Sequence, residues 1–543
     1  MKKLVLLLGL FPLQLMAAAL PDNIYFKAMK DEMDRSFKQL HLEKNPKPFY
    51  IAYRLEKTVP LRGAEASLGE LFADHLSSPE VTAVVTVSVG NNQQDSLGVQ
   101  DGNQTWFMPQ WNYGSVADSY KGIRQALWQK TDKAYLQATE MYEKKNAYKR
   151  LKQLDETLPD IVPAPASSYV EEVAAPIGVD ETMLKELVQR LSAEGKKIPY
   201  LEQFYVSLHP SYREIYFLNS RGSFFQYGQD RILLEVRSSF RTKRGYKRVV
   251  STSRWLDTKT ANVPRQAEEE VIRILQRVQS VYEAKPGQAY VGPVLLMPNA
   301  AAYLWVRMFA MPAMGAKPLL WLDGADDKTS GQFKNKIGMR VASNAVSIYD
   351  RPHLKAYNGT FLSGFTPVDD EGIATEDLTL VTGGVLRDLP RSMRPAKKGD
   401  KSNGHGRLSP SYFPREQLTN LVIEAVNPLS QQELEDKLLE RCRSLELEYC
   451  YILHSLPTDN QLERIYTQDG HKEPVDQLKF ETDFTARSLR DIVAAGGTAQ
   501  AFSSDANRWM GDSSVITPAL LIEEMELVPV QAQPDKKPFV PMP

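Results

Sequence analysis

The sequence has no excess of charge of either sign. Its 543 residues include 66 Lys and Arg against 67 Asp and Glu, which gives a formal net charge of −1. Nucleic-acid binding depends on an excess of Lys and Arg that neutralises phosphates. The composition therefore gives no support for a nucleic-acid partner. With 42% hydrophobic and 24% charged residues, the chain otherwise has the composition of a globular protein.

Cysteine is almost absent, which excludes several classes of site. Only Cys442 and Cys450 occur, and neither belongs to a Cys-x-x-Cys pair. A cysteine-rich zinc site and a dithiol redox centre are therefore not expected. In an exported protein two cysteines are free to form a disulfide. The sequence leaves open whether these two form a structural bridge or remain two buried thiols.

No hydrophobic run is long enough to cross a bilayer, which takes about 20 apolar residues. The apolar run over residues 4–16 follows two lysines and precedes three alanines. This is the pattern of a secretory signal peptide with its small-residue cleavage site. We predict a signal peptide over residues 1–19, with cleavage near Ala18 or Ala19. The mature protein is expected to have no membrane span and to be periplasmic or secreted in a bacterium.

Histidines do not cluster, and the common catalytic loops are missing. Gly-x-Ser-x-Gly and Walker-type glycine loops do not occur. His405 lies in residues 397–407, a Lys-, Gly- and Asn-rich stretch that predicts a flexible polar loop. No two histidines have the spacing of metal ligands on a helix, so surface or structural roles are expected for His41, His75, His209, His353, His405, His454 and His471.

The succession of helical and strand patterns predicts an α+β protein with two domains. We predict an N-terminal α/β domain over residues 20–285 and a β-rich C-terminal domain over residues 290–527. Residues 528–543 contain five prolines and predict an extended tail. Residues 91–178 are predicted to be an insertion in the first domain, made of a long loop, a long helix and a connector.

The inserted helix is predicted from about residue 116 to residue 154. Trp128, Tyr135 and Tyr142 recur in it every seven residues. This spacing fits a helix packed on its own domain, and it also fits a coiled-coil partner helix. The connector over residues 158–178 is rich in Pro, Ala and Ser and is expected to be exposed.

Period-two patterns predict most of the strands, and start signals predict the helices. Strands are predicted at residues 49–59, 81–89, 200–208, 214–219, 224–226, 232–241, 247–255, 294–297 and 516–527. Besides the inserted helix, helices are predicted to begin at Pro21, Asp180 and Pro264 and to cover residues 299–309 and 431–444.

Several short segments share their order and spacing with a known family. They are NSRG at residues 219–222, GPVLLMP at 292–298, IGMRV at 337–341, VDDEG at 368–372, LTNLVIEA at 418–425 and TPALLIEEMEL at 517–527. Over roughly residues 200–527 the chain resembles the TldD/PmbA metallopeptidases, also called modulators of DNA gyrase. The resemblance implies paired subunits, often one metal-bearing TldD-type and one metal-free PmbA-type. The pair encloses a chamber in which unfolded peptides are cut.

Metal-bearing members of this family carry a His-Glu-x-x-x-His helix after the first C-terminal segment, plus a later cysteine. Aligned without a gap, the motif falls on Val306, Arg307 and Met311. Valine has no ligand atom, arginine is a cation, and methionine is a soft ligand ill suited to hydrolytic zinc. Cys442 and Cys450 lack the Gly-rich context of the family's cysteine. The resemblance thus implies a PmbA-like chain with no catalytic, cofactor-binding or metal residues, and zinc in the partner subunit.

Three consecutive acidic residues, Asp369, Asp370 and Glu371, are the remaining candidate for a metal site. Successive side chains on a strand point to opposite faces, so the three are not expected to converge on one ion. The same DDEG turn lies beside the metal site in the family. We therefore predict a structural turn.

Three functions remain open from the sequence. The first is a non-catalytic exported subunit that pairs with a metal-bearing TldD-type paralogue and helps to form its chamber for unfolded peptides. The second is an active peptidase or hydrolase with a relocated site, which a change such as His405→Ala would abolish. The third is a stand-alone periplasmic protein that binds a peptide or another envelope ligand, as a homodimer.

Overall fold

The structure is a computed structural model. It describes residues 19–42, 45–73, 79–100, 115–154, 157–172, 178, 180–257, 260–313, 319–322, 331–408, 414–455, 461–480, 487–503 and 512–530. The predicted signal peptide, apart from its last residue, and most of the Pro-rich tail lie outside these residues. None of the described helices is long and apolar enough to cross a membrane.

Most of the longer helices begin at a side-chain cap. The side chains of Asn23, Ser119, Asp180 and Ser430 each accept a hydrogen bond from the first turn that follows. The helices are α1 Ile24–Gln39, α2 Tyr120–Lys152, α3 Glu181–Ala193, α4 Val263–Glu283, α5 Pro298–Trp305, α6 Met311–Ala313 and α7 Gln431–Ser444. Short 3-10 helices cover Glu194–Lys197 and Thr260–Asn262, and a π-helical turn covers Val306–Ala310.

Within the described ranges the strands form two large sheets and three small ones. In the first half of the chain they are β1 Pro48–Pro60, β2 Ala64–Ser67, β3 Glu70–Ala73, β4 Glu80–Val89, β5 Val99–Gln100, β6 Ser115–Val116, β7 Ser168–Val170, β8 Leu201–Asn219, β9 Phe224–Arg241 and β10 Lys247–Trp255. In the second half they are β11 Lys285–Pro286, β12 Tyr290–Leu296, β13 Leu320–Trp321, β14 Val346–Asp350, β15 Ala356–Tyr357, β16 Thr360–Phe361, β17 Leu378–Thr382, β18 Val385–Leu386, β19 Gly406–Leu408, β20 Pro414–Glu416, β21 Asn420–Ala425, β22 Tyr449–Ser455, β23 Gln461–Tyr466, β24 Lys472–Asp476, β25 Leu478–Phe480, β26 Ile492–Ser503 and β27 Ser514–Pro529.

The first sheet has nine strands, and its main path runs β10-β9-β8-β1-β4-β6. Side chains alternate across it, so each strand serves two cores. Even-numbered residues of β8 such as Phe204 and Tyr216 lie in cores with the helices α1–α4. Odd-numbered residues such as Ile215 and Phe217 face Phe365 of the C-terminal half. The sheet therefore has one helix-covered face and one face against the second half of the chain.

The second sheet has twelve strands and is mixed, with the main path β11-β24-β23-β22-β12-β27-β21-β14-β17-β18. Helix α5 packs on one face, where Val294 and Leu296 belong to the main core. Helix α7 packs on the other face against Leu295 and Ile452. The predicted α+β class is confirmed. The predicted domain boundaries stay predictions, although the chain passes from the first sheet to the second near Lys285, which pairs with β24.

Several predicted elements are longer than the sequence suggested. The predicted strands at 200–208 and 214–219 are one strand, β8, and those at 224–226 and 232–241 are one strand, β9. Seventeen residue pairs join these two strands from Leu201 to Leu218. Partner strands on both sides keep the backbone extended through the polar segments that had suggested breaks.

The inserted helix α2 packs on its own domain, as one of the two alternatives predicted. Ile123, Leu127 and Tyr135 lie in the core formed with α1, β1 and β4, whereas Trp128 is 49% exposed. The sevenfold aromatic spacing therefore does not form one seam for a partner helix. Residues 101–114 of the predicted long loop lie outside the described residues.

The prediction of an exposed connector over 158–178 is wrong at Asp160 and Ile161, whereas Pro163, Pro165 and Val170 are exposed. Asp160 and Ile161 are buried, and the amide of Val162 donates to the carbonyl of Met393. Strand β7 then pairs in parallel with β9. The composition is poor in core residues, but the start of this segment lies between the two halves, where contacts from both sides bury Asp160 and Ile161.

Candidate functional site

The two halves of the chain meet across an aromatic interface. Tyr50, Phe217, Phe225 and Tyr227 of the first sheet pack with Phe365 and Val368 of the second half. The rings of Tyr227 and Phe365 meet edge to face at 5.6 Å. Such pairs add stabilisation beyond the area that they bury. This interface fixes the position of the acidic turn that follows Val368.

The acidic turn at residues 369–372 is a structural element, and its side chains point to separate partners. Asp369 Oδ1 accepts the amides of Glu371 and Ile373 at 3.0 and 2.8 Å, and Oδ2 accepts the amide of Gly406 at 2.8 Å. Gly372 has φ +84°, and a Cβ there would collide with the side chains of Ser223 and Asn219. The three acids do not converge on one ion.

Two of these acids are buried carboxyls in a low-dielectric setting. Burial raises the pKa of Asp369 to about 7, although its hydrogen bonds from Ile373 and Gly406 oppose that rise. Burial and the charge of Asp369 raise the pKa of Glu371 well above its usual value. Glu371 Oε2 also accepts the amide of Met393 at 2.7 Å. The turn therefore ties the interface to residues 393–406.

A polar pocket lies next to this turn, between the first sheet and the second half. We call it the arginine pocket; its empty volume is about 680 Å³, including the part open to solvent. Its lining consists of Arg54, Glu56, Thr82, Val84, Arg213, Asp370, Arg407, Leu408 and Asp512. Its three arginines, Arg54, Arg213 and Arg407, pair with its three acids, so the lining carries no net charge.

His405 is buried, so the prediction of a flexible polar loop is wrong at this residue. Its side chain is fully buried, with Nδ1 2.9 Å from the carbonyl oxygen of Asn403 and Nε2 3.2 Å from Asp350 Oδ2. Asp350 also accepts the amide and the hydroxyl of Thr419, both at 2.8 Å. The contact with Asp350 and the turn at Asn403 hold this segment inside the protein, which its polar composition did not reveal. His405 cannot touch a substrate in this arrangement.

An Asp-His-Thr arrangement occurs at the surface but lacks a usable nucleophile. His353 Nδ1 lies 3.2 Å from Asp377 Oδ1, and His353 Nε2 lies 3.3 Å from Thr375 Oγ1. The Thr375 hydroxyl donates to the carbonyl of Thr366 at 2.6 Å, and Thr375 is buried. A nucleophile must present its oxygen to a substrate. We therefore assign these residues a structural role.

Helix α5 continues through the π-helical turn to Ala313, and this turn changes which residues share a face. The amide of Met311 donates to the carbonyl of Val306, five residues earlier. In a regular α-helix, residues five apart are separated by about 140° around the axis. The π turn brings residues 306 and 311 onto one side instead. Trp305 anchors the helix, since its Nε1 donates to Thr517 Oγ1 at 3.0 Å.

Cys442 and Cys450 form a disulfide, with Cα atoms 6.2 Å apart. The bridge joins the end of α7 to β22 and is fully buried in the core beneath α7. Of the two possibilities open from the sequence, the bridge is the one found. Both sulfurs are therefore committed and are not metal ligands. Across the described ranges, no group of three His, Cys, Asp or Glu side chains is arranged to hold a metal ion.

Comparison with known proteins points to one family. The family model of the PmbA/TldA metallopeptidase C-terminal domain matches residues 288–528. The second half of the chain is therefore a C-terminal domain of the PmbA/TldA metallopeptidase type. A metalloprotease of Archaeoglobus fulgidus is 32% identical over 111 residues, which cover 20% of this chain. The matching segment spans about a quarter (24%) of the length of that protease.

Solved structures of similar fold cover nearly the whole chain. TldE from Thermococcus kodakarensis and a Thermotoga maritima protein described as a candidate modulator of DNA gyrase are both 16% identical. Each comparison gives a TM-score of 0.59 and covers 92% of this chain and 100% of the other. A Bacteroides thetaiotaomicron protein with the same description is 15% identical, with 93% and 98% covered and a TM-score of 0.59. These similarities extend the TldD/PmbA fold to the N-terminal half.

The TldD/PmbA motif positions can now be placed in the structure. Val306 is buried in the main core, Arg307 is exposed and Met311 is half-buried. Val306 and Met311 lie on the side of the helix that the π turn creates, but neither carries a hydrolytic zinc ligand. In the gap-free alignment Arg307 corresponds to the acid of the motif, and that correspondence stays a prediction.

The sequence did not predict two polar clusters that the structure contains. The arginine pocket takes Arg54 and Glu56 from β1, which the sequence predicted only as a strand. The second cluster joins Lys145 of α2 to Asp95 and Asp160, and Lys145 is buried. The one available signal was a lysine on the helix face that also carries Ala138 and Met141. A lysine at such a position can extend its side chain past the core to reach solvent, or it can form a buried ion pair. The sequence does not distinguish these two cases.

Proposed function

We propose that this chain is a non-catalytic, exported subunit of a TldD/PmbA-type assembly. In this proposal it pairs with a metal-bearing TldD-type paralogue and helps to form the chamber in which unfolded peptides are cut. Zinc would be bound by the partner, and this chain would contribute shape and contacts. The family assignment supports the scaffold, while export and pairing rest on the signal-peptide pattern and on the resemblance.

The observation that carries the proposal is the state of helix α5 and its π turn. The helix is retained and packed, with Trp305 and Phe309 fully buried. The first ligand position is Val306, an aliphatic side chain in the core. Hydrolytic zinc needs about three protein ligands and an open position. The surroundings of this helix therefore support a role in shape and pairing, with the chemistry supplied by the partner.

The test is metal analysis of the purified chain, alone and after co-expression with a paralogue that carries His-Glu-x-x-x-His. We expect far less than one zinc per chain for the isolated protein. We expect one zinc per heterodimer and cleavage of an unfolded peptide only by the pair. Tight 1:1 metal in the isolated chain, or peptide cleavage by it, would overturn the proposal. A stable homodimer that ignores the paralogue would favour the stand-alone binding protein instead.

A further inference from the structure

Strand β10 is a long strand at the end of a main sheet path. The path of the first sheet runs from β10 to β6, and that of the second sheet runs from β11 to β18. Among the described strands, β6, β11 and β18 have two residues each, whereas β10 has nine. It contains neither proline nor glycine, and its pairing with β9 shows no register shift. Shortness, proline and bulges commonly protect an edge strand, and β10 has none of the three.

The hydrogen bonds with β9 show which backbone groups of β10 point outward. In the register of the two strands Leu256 falls opposite Ile232, and its amide donates to the carbonyl of Ile232 at 2.9 Å. Hydrogen-bonded and non-hydrogen-bonded pairs alternate along an antiparallel ladder. Even-numbered residues of β10 therefore bond to β9, and odd-numbered residues direct their N–H and C=O groups away from it.

Three of these odd-numbered residues, Val249, Ser251 and Ser253, leave their outward groups free. Within the described ranges, none of their N–H and C=O groups takes part in a hydrogen bond. Ser251 and Ser253 are exposed, and Val249 is half-buried. Strand β26 approaches β10 from the second half, but it pairs with β27 and not with β10. The outer edge of β10 thus presents a row of backbone donors and acceptors.

We propose that the outer edge of β10 binds an extended segment of another polypeptide, which joins the first sheet as an added strand. A second backbone offers N–H and C=O groups at the spacing of this edge. In strand addition the main-chain hydrogen bonds supply the affinity, and pockets for side chains supply the specificity. The exposed side chains beside the free groups are those of Ser251 and Ser253, which are small. The edge should therefore accept many sequences.

A second folded copy of this chain fits the edge less well than an unfolded segment does. No large apolar side chain of β10 is exposed. Stable interfaces between folded proteins bury about 1,200–2,000 Å² and have an apolar core. Two β10 edges would offer each other little beyond their backbone groups. An unfolded segment can use these groups alone, because it follows the edge along its whole length.

This inference goes beyond the proposed function, because strand addition needs neither zinc nor a paired subunit. It rests on the proposed function only if the bound segment is also the peptide that is cut. The test uses the isolated full chain without a paralogue. Peptide binding can therefore fail while zinc and cleavage appear in the heterodimer, and the reverse also holds.

Fluorescence anisotropy of a labelled heptapeptide, Glu-Val-Thr-Val-Thr-Val-Glu, measures the binding. Its β-branched residues favour an extended backbone, and its acidic ends limit self-association. Two matched peptides carry N-methyl groups either on every second amide or on every amide, which removes the donors of one edge or of both.

Because an added strand pairs through one edge, we expect the half-methylated peptide to bind within about threefold of the unmodified one. The fully methylated peptide should bind more weakly by about tenfold or more, since no donor remains. Equal binding of the unmodified and fully methylated peptides would overturn the proposal. So would equal loss of binding for both methylated peptides, or no saturable binding of the unmodified one.

Ser251→Pro tests whether the peptide binds at β10. Proline removes an N–H that does not bond to β9, and an edge strand tolerates proline where the N–H faces outward. Ser251→Ala keeps this N–H and is the matched control. We expect Ser251→Pro to weaken binding by about fivefold or more and Ser251→Ala to leave it unchanged.

Thermal unfolding of both variants checks their fold, and Ser253→Pro replaces Ser251→Pro if the latter is unfolded. Unchanged peptide binding in a folded proline variant would refute the site. Size-exclusion chromatography of the same proteins tests the other occupant. A homodimer that the proline change dissociates would assign the edge to a second copy and overturn the proposal.

Discussion

Lys145 is the residue whose substitution should reveal how the inserted helix is held. Its Nζ lies 2.7 Å from Asp160 Oδ2, 3.3 Å from Asp95 Oδ1, and 3.0 and 2.8 Å from the carbonyl oxygens of Asp95 and Leu97. Arg394 of the second half reaches the same two acids at 3.3 and 3.7 Å. The cluster therefore ties α2, the connector and the second half together inside the protein.

Lys145→Met keeps the length of the side chain and removes its charge and donors. Burial lowers the pKa of Lys145, and Arg394 adds to this effect, while Asp95 and Asp160 oppose it. Removing one partner of a buried ion pair typically costs about 3–5 kcal/mol, because the other charge stays buried. Arg394 still neutralises part of that charge, so we expect the lower end, about 3 kcal/mol. The urea midpoint should fall by this loss divided by the m-value, which for a chain of 543 residues exceeds the value of about 2 kcal/mol/M of small proteins, so the fall should be below about 1.5 M.

The matched control is the neighbouring residue. Lys144 is 38% exposed in its side chain and pairs with Glu140 one turn earlier. Exposed pairs of this kind contribute at most about 0.5 kcal/mol. Urea unfolding followed by tryptophan fluorescence should therefore separate Lys145→Met clearly from Lys144→Met. Equal midpoints for the two variants would refute the reasoning. Asp160→Asn combined with Lys145→Met should cost less than the sum of the single changes, because it removes the stranded carboxylate.

Three further predictions concern other parts of the fold. The raised pKa of the Glu371 carboxyl means that the folded state binds this proton more tightly than the unfolded state does. The contribution of the bound proton to stability is therefore full at acid pH and is lost as the pH rises. Glu371→Gln should flatten the fall of melting temperature with pH, and a variant whose melting temperature falls with pH as steeply as that of the wild type would contradict this. Replacing Cys442 and Cys450 by Ala should lower the free energy of unfolding by about 2–3 kcal/mol, the value that loop entropy gives for the short loop between the two cysteines. A thiol assay on unreduced wild-type protein should find no free thiol. Val306→His with Met311→His should create a weak Co²⁺ site visible by absorption, since the π turn places both on one side, and a spectrum without a ligand-field band would argue against that geometry.

Much of the fold could be predicted from local patterns. The strand β1, the helix α4 after Asn262 and the helix α7 lie within a few residues of their predicted bounds. Apolar periodicity and caps act over a few residues, so the sequence carries them directly. The connector and the segment around His405 were predicted as exposed because their composition is polar. The buried residues of both segments depend on partners far along the chain, Met393 for Val162 and Asp350 for His405, and no local pattern encodes such partners.

The candidate sites divide in the same way. By itself the sequence determined the family resemblance, the absence of zinc ligands at Val306, Arg307 and Met311, and the balanced charge, because residue identity alone decides whether a ligand atom exists. Only the tertiary structure decided that the two cysteines are bonded and that the α5 helix contains a π turn. It also decided that the arginines of β1, β8 and β19 share one pocket. Strand pairing brings these arginines together, and burial removes their guanidinium groups from solvent. The spacing of residues along the sequence specifies neither change.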